Sequence, residues 1–70
     1  MAPISALELA EHVLTDGFAA QQDALTVLYR SARQHQVSDV LLEVVADESE
    51  PRPVRERALG RIVVEVSRAA

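Results

Sequence analysis

The 70-residue chain contains no cysteine, which excludes disulfide bonds and thiolate metal sites. It lacks an apolar run near the ~20 residues needed to cross a bilayer, and Met1–Ser5 carries no basic run typical of an export signal. With only two glycines it has no glycine-rich phosphate loop, which argues against nucleotide binding. These absences predict a cytoplasmic protein with no membrane segment, no cofactor and no metal.

The length of the chain limits it to a single helical domain, predicted to span residues 1–70. A domain this small buries only ~60% of its unfolded surface, so chains of this size often add a disulfide, a metal or a second subunit. Because 49% of the residues are hydrophobic, association with itself or with a partner is the remaining route. The net charge of −4 argues against non-specific nucleic-acid binding, in which phosphate neutralisation dominates the affinity.

The clearest local signal is a helix start at Ser5, with Glu8 three residues on as the second half of a capping box. Ile4 and Leu9 add a hydrophobic staple to this start. Gly17, the natural left-handed terminator, ends the predicted first helix.

Three further helices are predicted from apolar periodicity and from start and stop residues. The second runs from Ala19 to Gln34 and the third from the Ser38 cap to Ala46-Asp47. The β-branched residues of the third also permit a strand, but Ser38-Asp39 favours a helix start. A linker with two prolines, Asp47–Pro53, leads into the fourth helix, Val54 to Ser67. The expected fold is all-α, a compact four-helix domain of two antiparallel helical hairpins.

Two parts of the chain align with each other. Val13-Leu14-Thr15-Asp16 aligns with Val44-Val45-Ala46-Asp47 at an offset of 31, and Asp23-Ala24-Leu25 with Arg57-Ala58-Leu59 at an offset of 34. In the second unit an apolar helix ends at Asp47 and the next begins Val54-Arg55-x-x-Ala58-Leu59. This unit, residues 41–62, resembles a HEAT or armadillo-type repeat, although the offsets are shorter than the ~40–47 residues of those repeats. The resemblance implies a compact helical domain without an active site.

Arg55 falls inside the apolar arc of the fourth helix, so its guanidinium must be paired or must reach water. In keeping with the repeat family, we predict a structural pair of Arg55 with Asp47, or a bond from Arg55 to the carbonyl ends of the third helix. The alternative is an arginine whose stem covers apolar surface while its charged group stays in water.

The leading functional prediction is a non-enzymatic protein–protein interaction module, an adaptor or regulatory subunit. It would dock through apolar faces of the third and fourth helices, because these carry more apolar positions than one small core needs. The partner would be another protein or a second copy forming a homodimer. The predicted partner-binding residues are three valines, the arginines of the fourth helix and one tyrosine: Val44, Val63, Val64, Arg57, Arg61, Arg68 and Tyr29.

Each polar member of this set has a simpler interpretation. The three arginines would form a solvated face, with Arg61 balanced by Glu65, since they give a weak electrostatic footprint in an acidic chain. Tyr29 would anchor an interface or cover a junction between helices.

The alternative function is a small helix-turn-helix regulator, with the third helix as the DNA reader. That helix offers Asp39 and Glu43 and has no arginine, lysine or asparagine to donate to base edges, so nucleic acid is an unlikely partner. An antitoxin-like role, in which a small acidic protein masks a basic surface, also stays open.

A metal or acid–base site is predicted to be absent. Glu8, His12 and Asp16 are spaced by four on the first helix, but the outer two lie ~12 Å apart along its axis, too far for one ion to bridge. We interpret them as ordinary polar surface.

Overall fold

The computed structural model describes residues 5–69, which form four α-helices. Their bounds are Ala6–Asp16 (α1), Gln22–Gln34 (α2), Asp39–Ala46 (α3) and Arg52–Ala69 (α4). No strand occurs in this part of the chain, so the predicted all-α four-helix domain is confirmed. Residues 1–4 and residue 70, at the two ends of the predicted 1–70 domain, lie outside the described residues. Ile4, one half of the predicted hydrophobic staple, is among them. No helix within residues 5–69 combines the length and the hydropathy needed to span a bilayer.

Short-range bonds fix the helix ends that the sequence predicted. The Ser5 Oγ accepts a hydrogen bond from the Glu8 N–H at 3.2 Å, and the Ser38 Oγ accepts one from the Val40 N–H at 3.3 Å. At the end of α1 the Gly17 N–H donates to the Val13 carbonyl at 2.8 Å. Gly17 has φ +98° and ψ 155°, a backbone region that is essentially restricted to glycine.

Two helix bounds differ from the prediction. α2 begins at Gln22 rather than Ala19, because residues 18–21 form a turn that buries the Phe18 ring and leaves its carbonyl to accept from the Gln22 side chain at 3.1 Å. α4 begins at Arg52 and continues to Ala69. Pro53 fits this earlier start, since a residue in the first helical turn needs no N–H partner.

α4 is the central element, because it packs against each of the other three helices. α3 packs chiefly on α4, and α1 packs on both α2 and α4. The largest fully buried side chains come from all four helices: Val13, Leu25, Leu28, Val45, Leu59 and Ile62. The radius of gyration is 11.0 Å, the value expected for a compact chain of this length (~11 Å). The helices therefore share one core.

Candidate interaction surface

A groove of about 480 Å³ lies on the surface between α3 and α4. Its α3 side is formed by Leu41 and Val44, which are half-buried next to the core residues Leu42 and Val45. Its α4 side is formed by Val54, Arg57, Ala58 and Arg61. The α3 side of the groove is apolar because six of the eight residues of α3 are apolar. Packing on α4 leaves some of their surface exposed to water.

The rim of the groove is positively charged. Among the six lining residues two are arginines and none is a carboxylate. Arg61 is neutralised within its own helix by Glu65, whose Oε1 lies 2.9 Å from the Arg61 Nη2. Arg57 has no carboxylate within 4.0 Å among residues 5–69. This face therefore differs in sign from the chain as a whole, whose net charge is −4.

The exposed side of α4 extends the groove lengthwise. One face of the helix carries, at spacings of three and four residues, Val54, Arg57, Arg61, Val64 and Arg68. Val54 is 39% exposed and Val64 is 42% exposed, so apolar surface continues along the row. From its first to its last member the row covers ~21 Å of helix.

The structure brings most of the predicted partner-binding residues to this face and corrects one of them. Val44, Arg57 and Arg61 line the groove, and Val64 continues it. Val63 is only 9% exposed and belongs to the core, as does Val66 at 6%. The sequence run Ile62 to Val66 is apolar at four of five positions, so its pattern does not reveal which valine points inward.

Tyr29 lies elsewhere, on α2 beside α3. It lines a hollow with Leu42 and Ala46 of α3 and packs against the core. Burial raises the pKa of the Tyr29 phenol, while the positive charge of Arg55 opposes that rise. Tyr29 thus covers a helix junction, the simpler of its two interpretations.

Arg55 joins three segments of the chain. Its Nε donates a hydrogen bond to the Val45 carbonyl near the end of α3 at 2.9 Å, and its guanidinium lies 4.1 Å from the centroid of the Phe18 ring. A carbonyl at the end of the third helix is one of the two partners predicted for Arg55. The Phe18 contact was not predicted, because nothing local in the sequence links a turn residue to α4.

The other predicted partner, Asp47, is bound within its own turn. Its Oδ1 accepts from the Ser49 hydroxyl at 2.5 Å and from the Ser49 N–H at 2.9 Å. These bonds lower the pKa of the Asp47 carboxyl, with a smaller contribution from the charge of Arg55. No ion pair joins Asp47 to Arg55 among the described residues, so the structural pair is corrected to Arg55 and the Val45 carbonyl.

The carboxylates and the histidine that the sequence places along α1 do not form a cluster with one another. Glu8, His12 and Asp16 are all exposed, and the Asp16 Oδ2 accepts a hydrogen bond from the Gln21 side chain at 2.6 Å. Within residues 5–69 no three side chains of metal-ligand type come together.

The helix-turn-helix alternative gains no support from the position of α3. This helix packs chiefly on α4, and its Asp39 and Glu43 side chains are exposed. A surface of that sign is repelled by phosphate. The alternative stays a prediction that a mobility-shift experiment at low salt would test.

Comparison of the chain with protein-family models, with curated proteins and with solved structures found no match. The resemblance of residues 41–62 to a HEAT or armadillo-type repeat therefore stays a prediction from the sequence. The function has to be inferred from the surface itself.

Proposed function

We propose that this chain is a non-enzymatic protein-interaction module that docks through the groove between α3 and α4. The observation that carries the proposal is the groove of about 480 Å³, with an apolar floor of Leu41, Val44, Val54 and Ala58. An apolar groove rimmed by polar groups is a surface that side chains of another protein can cover. The proposed role is that of an adaptor or a regulatory subunit.

The energetics of a small domain support the same proposal. Val54 and Val64 keep 39% and 42% of their surface in water on a chain whose core has little stability in reserve. Covering such surface contributes ~25 cal/mol per Å² of apolar area, so a partner would stabilise the fold as well as bind it.

Site-specific photo-crosslinking in the native host tests the proposal. A photoreactive residue at Val54 reports on the groove, and one at Val27 is the matched control, because Val27 is an equally apolar residue that is 49% exposed on α2. We expect a discrete crosslinked product from Val54 that Val27 does not give, and its loss when Val44→Asp is added.

Identical products from the two positions, or none from Val54, would contradict docking at the groove. A product between two copies of the chain would support docking and identify self-association as its form. The cytoplasmic location stays a prediction, and fractionation of the native host would test it.

A further inference from the structure

The charge of the groove face indicates which kind of partner can bind there. Arg57 and Arg61 line the groove, and Arg68 lies on the same face of α4 two turns further on. Glu65 neutralises Arg61, which leaves Arg57 and Arg68 without a carboxylate within 4.0 Å among residues 5–69. A chain with a net charge of −4 thus presents a positive strip beside the apolar groove between α3 and α4.

A second copy of the chain fits this strip poorly. A two-fold dimer places the same patch of both subunits in contact. In such a dimer this face meets an identical face, whose lining offers no carboxylate to pair with Arg57 or Arg68. An acidic partner gains from the same two side chains, since complementary charges favour encounter and fix the register.

The shape of the groove selects a helix as the occupant. Its walls are two packed helices. The α4 wall from Val54 to Arg61 is ~10 Å long, and the exposed row continues past the groove to Arg68, ~21 Å from Val54. A helix lying in such a groove uses apolar anchors at i, i+3, i+4 and i+7. The apolar floor of Leu41, Val44, Val54 and Ala58 offers the surface for such anchors.

We propose that the groove binds an amphipathic helix of a different protein, whose apolar face is flanked by Asp and Glu side chains. The apolar anchors lie on Leu41, Val44 and Val54, and the flanking carboxylates pair with Arg57 and Arg68. This inference rests on the proposed function and adds the chemistry of the partner to it.

Selection from a displayed peptide library tests the charge preference directly. The library contains helices of about 15 residues, with apolar residues fixed at the i, i+3, i+4, i+7 positions and random charged residues at the flanks. We expect the wild-type chain to enrich acidic flanks, and the enriched peptide to lose affinity as salt is raised. The affinity of that enriched peptide for the variant carrying Arg57→Glu and Arg68→Glu should be lower than its affinity for the wild-type chain by roughly tenfold or more.

The matched control carries Arg30→Glu and Arg33→Glu, which change the same charge at exposed positions of α2. This control should enrich acidic flanks as the wild type does, whereas the α4 variant should enrich basic ones. Circular dichroism of both variants verifies that each is folded.

Five outcomes would overturn the inference, four from binding experiments and one from the oligomeric state. In the selection, these are flanks enriched without charge preference and no enriched peptide at all. In the affinity measurements, the contradicting result is an equal loss of peptide affinity in the α4 variant and the α2 control. In a parallel assay with phosphatidylserine vesicles, it is binding of the chain to the vesicles in place of peptides. A stable dimer of the free chain, broken by Val54→Asp, would overturn it as well. The crosslinking experiment at Val54 tests the proposed function independently of this inference, because it detects the docking of a protein of any charge.

Discussion

Arg55 and Arg57 lie two residues apart on α4, but the structure uses them in different ways. Arg55 donates to the Val45 carbonyl and lies over the Phe18 ring, so it holds α4 against α3 and the α1–α2 turn. Arg57 is exposed at the rim of the groove. Positions two apart on a helix differ by roughly 200° in direction, which explains why one faces neighbouring elements and the other faces water.

The same contrast separates Val63 from Val64, at 9% and 42% exposure. One side of α4 therefore packs into the core, while the adjacent side is exposed to water. Valine and arginine occur on both sides of α4. The role of each residue therefore depends on the elements that it contacts.

The largest expected effect is at the buried side. Ile62 is fully buried, so Ile62→Ala should lower the free energy of unfolding by about 2–5 kcal/mol through lost contacts and a cavity. Val64→Ala, two residues further on and on the exposed side, should change it by less than about 0.5 kcal/mol. Urea denaturation measures both. If Ile62→Ala fails to fold, Ile62→Val should still cost about 0.5–1.5 kcal/mol. Equal losses at the two sites would break the comparison.

A smaller difference is expected between the two arginines. Arg55→Ala removes a charged hydrogen bond and a cation–π contact from a partly buried site, and should cost about 1–2 kcal/mol. Arg57→Ala should stay within about 0.5 kcal/mol in stability, with its effect confined to binding. Thermal and urea unfolding of the two variants checks this, and a destabilisation by Arg57→Ala that matches Arg55→Ala would refute it.

The glycines should respond to alanine with opposite signs. Gly60 lies exposed in α4, where an added Cβ meets no heavy atom within 4 Å, so Gly60→Ala should stabilise the protein by about 0.5–1 kcal/mol. Gly17→Ala should destabilise it by about 1–3 kcal/mol, because its φ of +98° is strained for any other residue. Melting temperatures of the two variants give the signs directly. A loss of stability at Gly60 would place a close contact on the side of α4 that we describe as open.

The smallest expected effect is the coupling between Asp47 and Arg55. Each bonds a different group, Ser49 and the Val45 carbonyl, so their alanine substitutions should be additive in unfolding free energy within measurement error. A double-mutant cycle measures the coupling. Clear non-additivity would restore the direct pair that the sequence resemblance implied.

The sequence alone determined where most helices begin and end. Ser5, Gly17 and Ser38 act through bonds to atoms within four residues of themselves, so their effect is legible in the local sequence. The effects of Pro51 and Pro53 at the start of α4 and of the acidic turn at Asp47 are equally local. This is why the four-helix, all-α domain was predictable, with errors only at the start of α2 and the ends of α4.

Only the tertiary structure decided which apolar and charged groups remain in water. Phe18, which is buried in the turn that precedes the late start of α2, contacts Arg55 on a helix distant in the sequence. Whether Val63 or Val64 enters the core depends on where α4 lies against its neighbours. Such choices come from packing between elements far apart in the chain, and the groove between α3 and α4 is the surface that this packing leaves uncovered.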